Sequence, residues 1–342
     1  MSTPRIFAIQ DPARIMDPVA LSIGLYALTG QGKTESSLRL AHGIQRVYGG
    51  NIYFADCDNG RGLHFMRGAG AMFPRVNYID FKAPHNALDY VDLLEQISRE
   101  ESPILIIDNM SAEHEGEGGY LESKEAAMYD KKGDYREGRT AVAWNVAKSA
   151  HKQLVRAFVR VNRRMPIIVT WRAGEKLDWS HKDERGKIEP EKQGEMPIGS
   201  KDLPFEMTAT YLLPAGSKGA PLLSPSLKGE MLMTKIPRWF ENIIKQGEKF
   251  SEAHGEAMAR WATAKPVDPP PVTAQLDALV GELDAATSVE DVDALAARAK
   301  KLKLNERQAR FLSAKFTAAR VRVQPRSEAE AAAEQYVRQN EF

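Results

Sequence analysis

The stretch Ala20-Leu-Ser-Ile-Gly-Leu-Tyr-Ala-Leu-Thr-Gly-Gln-Gly-Lys-Thr34 decides the fold. Residues 20–27 form a short apolar run, the signature of a strand buried on both faces. Ala27-Leu28-Thr29-Gly30-Gln31-Gly32-Lys33-Thr34 then fits the phosphate-loop pattern, with Ala27 where that pattern has its first Gly. Gly30 and Gly32 let the backbone bend so that amide groups converge on phosphate oxygens, and the following helix start adds its positive dipole end. Lys33 is placed to reach the terminal phosphates as a point charge, and Thr34 to offer its hydroxyl to Mg²⁺. A plainer reading, a Gly-rich turn that only joins strand to helix, leaves the Lys-Thr pair and its position unexplained.

Working outward, residues 35–48 carry Leu40, Ala41, Ile44, Val47 and Tyr48 at helical spacing, and 51–56 (NIYFAD) is strand-like again. The alternation continues with RVNYIDF at 75–81, an amphipathic helix at 86–100, the strand PILIID at 103–108, a long helix at 140–163 and the strand PIIVTW at 166–171. Apolar strands alternating with amphipathic helices predict a mostly parallel sheet covered on both faces. From 172 to 235 the alternation stops, and WSHKDERGKIEPEK, MTATYLL and EMLMTK read as hairpins or edge strands.

Two acidic positions complete the chemistry. Asp108 ends an apolar strand, expected to neighbour the phosphate-loop strand, where a carboxylate holds Mg²⁺ through its water shell, and an ordinary turn-capping Asp is the alternative. Hydrolysis also needs a carboxylate to orient or deprotonate water, and Asp56-Cys57-Asp58 supplies two candidates, which strand alternation puts on one side. Glu113-His114-Glu115 and Glu117 lack metal-site spacing and read as a glycine-rich loop near the site.

Composition closes off other classes. The 342 residues are 43% hydrophobic and 27% charged, too apolar for disorder, and 47 Lys plus Arg against 46 Asp plus Glu exclude a uniformly basic coat. One cysteine forbids a disulfide framework, and seven scattered His show no zinc spacing. The N-terminus lacks a signal-peptide core and no apolar run reaches the ~18 residues of a membrane span, so the expected location is the cytoplasm. Four prolines within 265–273 mark a linker. The expected organisation is therefore a nucleotide-binding α/β domain at 1–265, a linker at 266–273 and a small helical domain at 274–342 with little core of its own, its last, Ala/Glu-rich helix starting at Ser327.

Taken in order, ALTGQGKT, FADCDNGRG, ILIIDNMSAEHEGEGGYLE and PIIVTWRAGEK give the chain a resemblance, over roughly 20–262, to RecA-like P-loop ATPases, most closely the compact phage-encoded proteins of single-strand annealing and recombination. The resemblance implies a RecA-like core, ATP and Mg²⁺ as cofactors, and a host-cytoplasmic location. Asp58 stands where such proteins carry a catalytic glutamate, and Arg172 stands at the sensor position, with Trp171 a departure. It also implies a homo-oligomeric ring or filament whose ATP state controls single-stranded DNA binding, a replication or recombination protein as a further partner, and no membrane. Alternatives are a nucleotide-gated adaptor or loader with little turnover, and a ring helicase-type motor. DNA contacts are expected either at a hairpin tip with Trp179, Lys182, Arg185 and Lys187, or along 298–326, where ten basic residues meet one acid, Glu306.

Overall fold

The computed structural model describes residues 15, 17–68, 71–178, 180, 190–225, 233–264, 271–302, 304 and 306–323. In chain order its elements are β1 (Ser22–Ala27), α1 (Lys33–Tyr48), β2 (Ile52–Asp56), β3 (Asn77–Asp80), α2 (Ala87–Ile97), β4 (Ile104–Asp108), α3 (Ser111–Glu115), α4 (Tyr120–Ala126), α5 (Thr140–Asn162), β5 (Ile167–Asp178), β6 (Glu191–Pro197), α6 (Asp202–Glu206), β7 (Ala209–Leu212), α7 (Glu252–Ala262), α8 (Pro271–Ala285), α9 (Val289–Ala299) and α10 (Glu306–Val323). They fall into two compact units, Asp17–Ala264 and a smaller one that holds α8, α9 and α10.

The larger unit is an α/β sandwich on a seven-stranded sheet of order β3-β2-β4-β5-β1-β7, with β6 pairing β5 alone. Every pairing along that path is parallel. The central strands are apolar at successive positions because both sheet faces are covered. Leu105 and Ile107 join Tyr90, Leu94, Leu154 and Phe158 on one face. Ile104 and Ile106 join Leu38, Ile44, Met258 and Ala259 on the other. Helices α1 and α7 approach backbone to backbone: a Cβ on Gly43 would lie 1.9 Å from the Glu252 carbonyl oxygen, and one on Gly255 2.1 Å from that of Leu40.

Two placements differ from the sequence reading. MTATYLL is an edge strand, but β7 pairs in parallel with β1 and is fully buried, so it belongs to the core sheet rather than to an elaboration on it. Of EMLMTK, residues 230–232 lie outside the described residues, and among the rest Lys235 bridges to Thr210. β4 is also not the direct neighbour of β1, since β5 lies between them, with Leu25 opposite Thr170 and Ile107 opposite Val169. The polar hairpin is formed by β5 and antiparallel β6. Its tip, with Trp179, Lys182, Arg185 and Lys187, lies outside the described residues, as do the helix expected from Ser327 and most of the expected linker. Helix begins already at Pro271, a residue whose fixed φ and missing amide suit a first turn.

The smaller unit packs α8, α9 and α10 around Leu276, Leu279, Leu283, Val292, Leu295 and Leu312, with Phe316 against them. This is a core of its own, contrary to the expectation of little, because α8 and α9 each contribute an apolar stripe facing α10. Ser288 and Asp291 form the capping box that opens α9.

Candidate functional site

The loop between β1 and α1 turns through Gly30 (φ 77°) and Gly32 (φ 86°), both in the left-handed region where glycine carries no Cβ penalty. Gly32 is the N-cap of α1 and provides no side-chain cap, so the first-turn amides are left without one. The Lys33 ammonium folds back and donates to the carbonyls of Ala27 and Leu28, each at 3.0 Å. Desolvation lowers its pKa against the opposing pull of Asp108 and Asp58. Ala27 and Leu28 thus serve through their backbone, while Thr29, Gly30, Gln31, Gly32, Lys33 and Thr34 line a cavity of about 480 Å³.

Asp108 forms part of the same cavity lining. The Thr34 hydroxyl donates to its Oδ2 at 2.5 Å, and the Thr170 hydroxyl, on the intervening strand β5, donates to its Oδ1. Burial raises the Asp108 pKa, partly offset by these two hydroxyls and by Lys33. A buried carboxylate beside a threonine hydroxyl is a hard-oxygen pair suited to a magnesium ion that keeps most of its water. Among the described residues no group of three or more His, Cys, Asp or Glu could hold a metal ion.

The two acids of Asp56-Cys57-Asp58 part company. Asp56 is buried and accepts the backbone amides of Asp58 (2.8 Å) and Gly62 (2.9 Å), tying down the turn. Asp58 instead lines the cavity, with Oδ1 2.8 Å from Arg172 Nη2 and Oδ2 3.1 Å from Arg61 Nη1. The expected shared side fails because β2 ends at Asp56 and the chain turns there. Between them Cys57 is buried, with its thiol pushed up to about 12 by desolvation and accepting from the Tyr90 hydroxyl, so it is no nucleophile.

Arg172 reaches Asp58 and, at 3.4 Å, Glu115. Its amide donates to Ser111 Oγ, which donates to the Ile198 carbonyl, so α3 and the β6 exit hold β5 in place at its midpoint. Trp171 is buried against Gly24, where a Cβ would come within 2.8 Å of its ring. The Glu113–Glu115 segment is helix α3 rather than the expected loop, because Glu113 is drawn inward to His151 Nδ1 at 3.0 Å.

Sequence reasoning missed Arg61, Phe65, Lys218 and Lys249, which also line the cavity. Arg61 stood inside the quoted FADCDNGRG segment. The two lysines come from the loops after β7, docked on the phosphate loop by the Gly216 amide, which donates to Gln31 Oε1 at 2.7 Å. A Cβ on Gly32 would lie 3.0 Å from the Gly219 amide nitrogen, so the two loops meet at glycines. No motif announces that contact.

Part of the basic run at 298–326 is paired within its own unit. Arg298 pairs with Glu282, Lys315 with Asp284 at 3.4 Å, and Arg320 with Asp293 at 2.6 Å. Arg322 donates to the Leu283 carbonyl at 2.7 Å. The acids sit on α8 and α9, outside the window whose local composition looked unbalanced.

No protein-family model matches the chain and no curated protein matches it. Among solved structures it is similar to the genome packaging NTPase B204 from Sulfolobus turreted icosahedral virus 2 in complex with sulfate, at 9% identity over 58% of this chain and 74% of that one, with a TM-score of 0.26. Among the described residues no helix is long and apolar enough to cross a membrane.

Proposed function

We propose that the chain is a RecA-like, Mg²⁺-dependent ATPase of phage DNA metabolism whose nucleotide state controls binding to single-stranded DNA, acting as a homo-oligomer. The observation that carries the reading is the convergence of Lys33, Thr34, Asp108, Asp58 and Arg172, drawn from four separate segments, on one cavity at a glycine-bent helix N-terminus. Five cations, Lys33, Arg61, Arg172, Lys218 and Lys249, face that cavity with three carboxylates, Glu35, Asp58 and Asp108, a balance suited to a polyanionic substrate bound with a divalent ion.

In this reading the loop amides and Lys33 bind the phosphates, and Lys33 exchanges its carbonyl partners for phosphate oxygens. Thr34 and Asp108 hold magnesium, which supplies neutralisation of the phosphate charge. Asp58 orients the attacking water and accepts its proton. Arg172 stabilises charge on the transferred group, which requires it to leave Asp58. The intervening strand β5, whose parallel pairing with the phosphate-loop strand stops at Arg172, lies between that strand and the Asp108 strand and supports the RecA-like assignment.

Adaptor behaviour with little turnover has one observation in its favour: both oxygens of Asp58 are engaged by guanidinium groups, so neither stands free to hold a water molecule. ATP turnover by purified protein, with and without single-stranded DNA, separates the two. Stimulated turnover supports the ATPase, and tight ATP binding without turnover supports the adaptor.

A further inference from the structure

Residues 131–164 carry ten basic side chains against two acidic ones, in a chain whose formal net charge is +1. Helix α5 itself contains no Asp or Glu over its 23 residues. Its positive charges are not scattered. Lys148, Lys152, Arg156 and Arg160 follow one another at every fourth residue, continued by Arg163 and Arg164, and all six are exposed. Four-residue spacing stacks them in a row along one side of the helix, about 6 Å apart along its axis. Like charges one turn apart repel and weaken the helix, so the row works against folding.

Among the described residues, Arg160 alone in this row has an ion-pair partner, Glu95. In the tail, by contrast, Arg298, Lys315 and Arg320 each pair with an acid of the same unit. A second feature adjoins the row. Lys152 and Arg156 share a groove of about 270 Å³ with Phe205 of α6, whose ring is 62% exposed, while Asp202 and Glu206 line the same groove without pairing to either cation. A line of unpaired cations attracts any polyanion. An aromatic face standing free beside them suits a polyanion that also carries flat rings.

We infer that the exposed side of α5 is a binding surface for single-stranded nucleic acid, with the phosphates along Lys148–Arg164 and a base stacked on Phe205. The inference rests on the proposed function for its class of partner and names a surface that the sequence reading did not consider. An acidic peptide would use the cations and leave Phe205 without a role.

The test is anisotropy of a labelled oligothymidine with the full chain, across a range of salt concentrations. Lys152→Gln with Arg156→Gln is expected to weaken binding at least ten-fold at low salt and to reduce the salt slope by about 1.4, at ~0.7 per lost phosphate contact. Phe205→Ala is expected to weaken binding about ten-fold with the slope unchanged. Arg298→Gln with Arg320→Gln is expected to change neither. Wild-type affinity and slope in the Lys152/Arg156 variant overturn the surface, as does displacement of the oligonucleotide by polyglutamate at matched charge with no effect of Phe205→Ala. Basal ATP turnover, measured on the same preparations, is expected to equal wild type in the Lys152/Arg156 variant. Absence of oligonucleotide binding with turnover intact defeats the surface and spares the ATPase, whereas DNA binding without turnover does the reverse.

Discussion

The Arg172 guanidinium lies 2.8 Å from the Asp58 carboxylate, although 114 residues separate them, and so joins the middle of β5 to the turn after β2 in the lining of one cavity. The proposed reaction gives these two ion-paired groups opposite tasks. Arg172→Ala is expected to cut turnover by about 10²-fold, by removing a preorganised positive charge, while ATP binding persists. Asp58→Asn is expected to slow single-turnover hydrolysis, again with binding retained. Unchanged hydrolysis in both variants, measured by rapid quench, removes them from the reaction.

Asp56 carries a structural prediction instead. Its buried carboxylate receives two backbone amides, and an Asn side chain has only one comparable acceptor oxygen. Asp56→Asn is expected to cost about 1.5–3 kcal/mol in urea unfolding. A loss of hydrolysis at wild-type stability contradicts this and makes Asp56 the base.

Asp108 ties stability to pH. Burial raises its pKa, so the folded state holds the proton more tightly than the unfolded chain does. The associated stability is fully present below the unfolded value near 3.8 and is lost as pH rises through the raised folded value. Asp108→Asn is therefore expected to melt above wild type at neutral pH without ligand, with the gap closing in acid, and to lose the stabilisation that Mg²⁺ with ATP gives wild type. Thermal melts across pH, with and without Mg²⁺ and ATP, check both parts. A lower melting temperature at neutral pH runs against the account.

The contact between α1 and α7 yields a prediction for packing. Gly43→Ala places a methyl group 1.9 Å from a backbone carbonyl and forces the helices apart, at an expected cost of about 1–3 kcal/mol by denaturant titration. Wild-type stability in this variant means the helices yield freely.

Much of the site was legible because its chemistry is local. Residues 27–34 announce the loop through two glycines and a Lys-Thr pair, and Asp108 is marked by the four apolar residues before it. The separation of Asp56 from Asp58 was not legible, because it depends on where β2 stops rather than on its alternation. Lys218 and Lys249 were hidden for a different reason: they reach the cavity through the docking of Gly219 on Gly32, a contact between glycines that leaves no side-chain pattern. The charge balance of the tail was legible only in part. Counting charge over 298–326 omitted Glu282, Asp284 and Asp293, which folding brings alongside.

The central claim is that the cavity at Lys33 hydrolyses ATP with Mg²⁺. Its most direct test is phosphate release from ATP by wild type and Lys33→Ala, each with Mg²⁺ and with chelator. The account predicts turnover by wild type in Mg²⁺ alone, reduced at least 10²-fold in Lys33→Ala with the fold intact by circular dichroism. Equal turnover by the two proteins, or turnover that survives chelation, contradicts it.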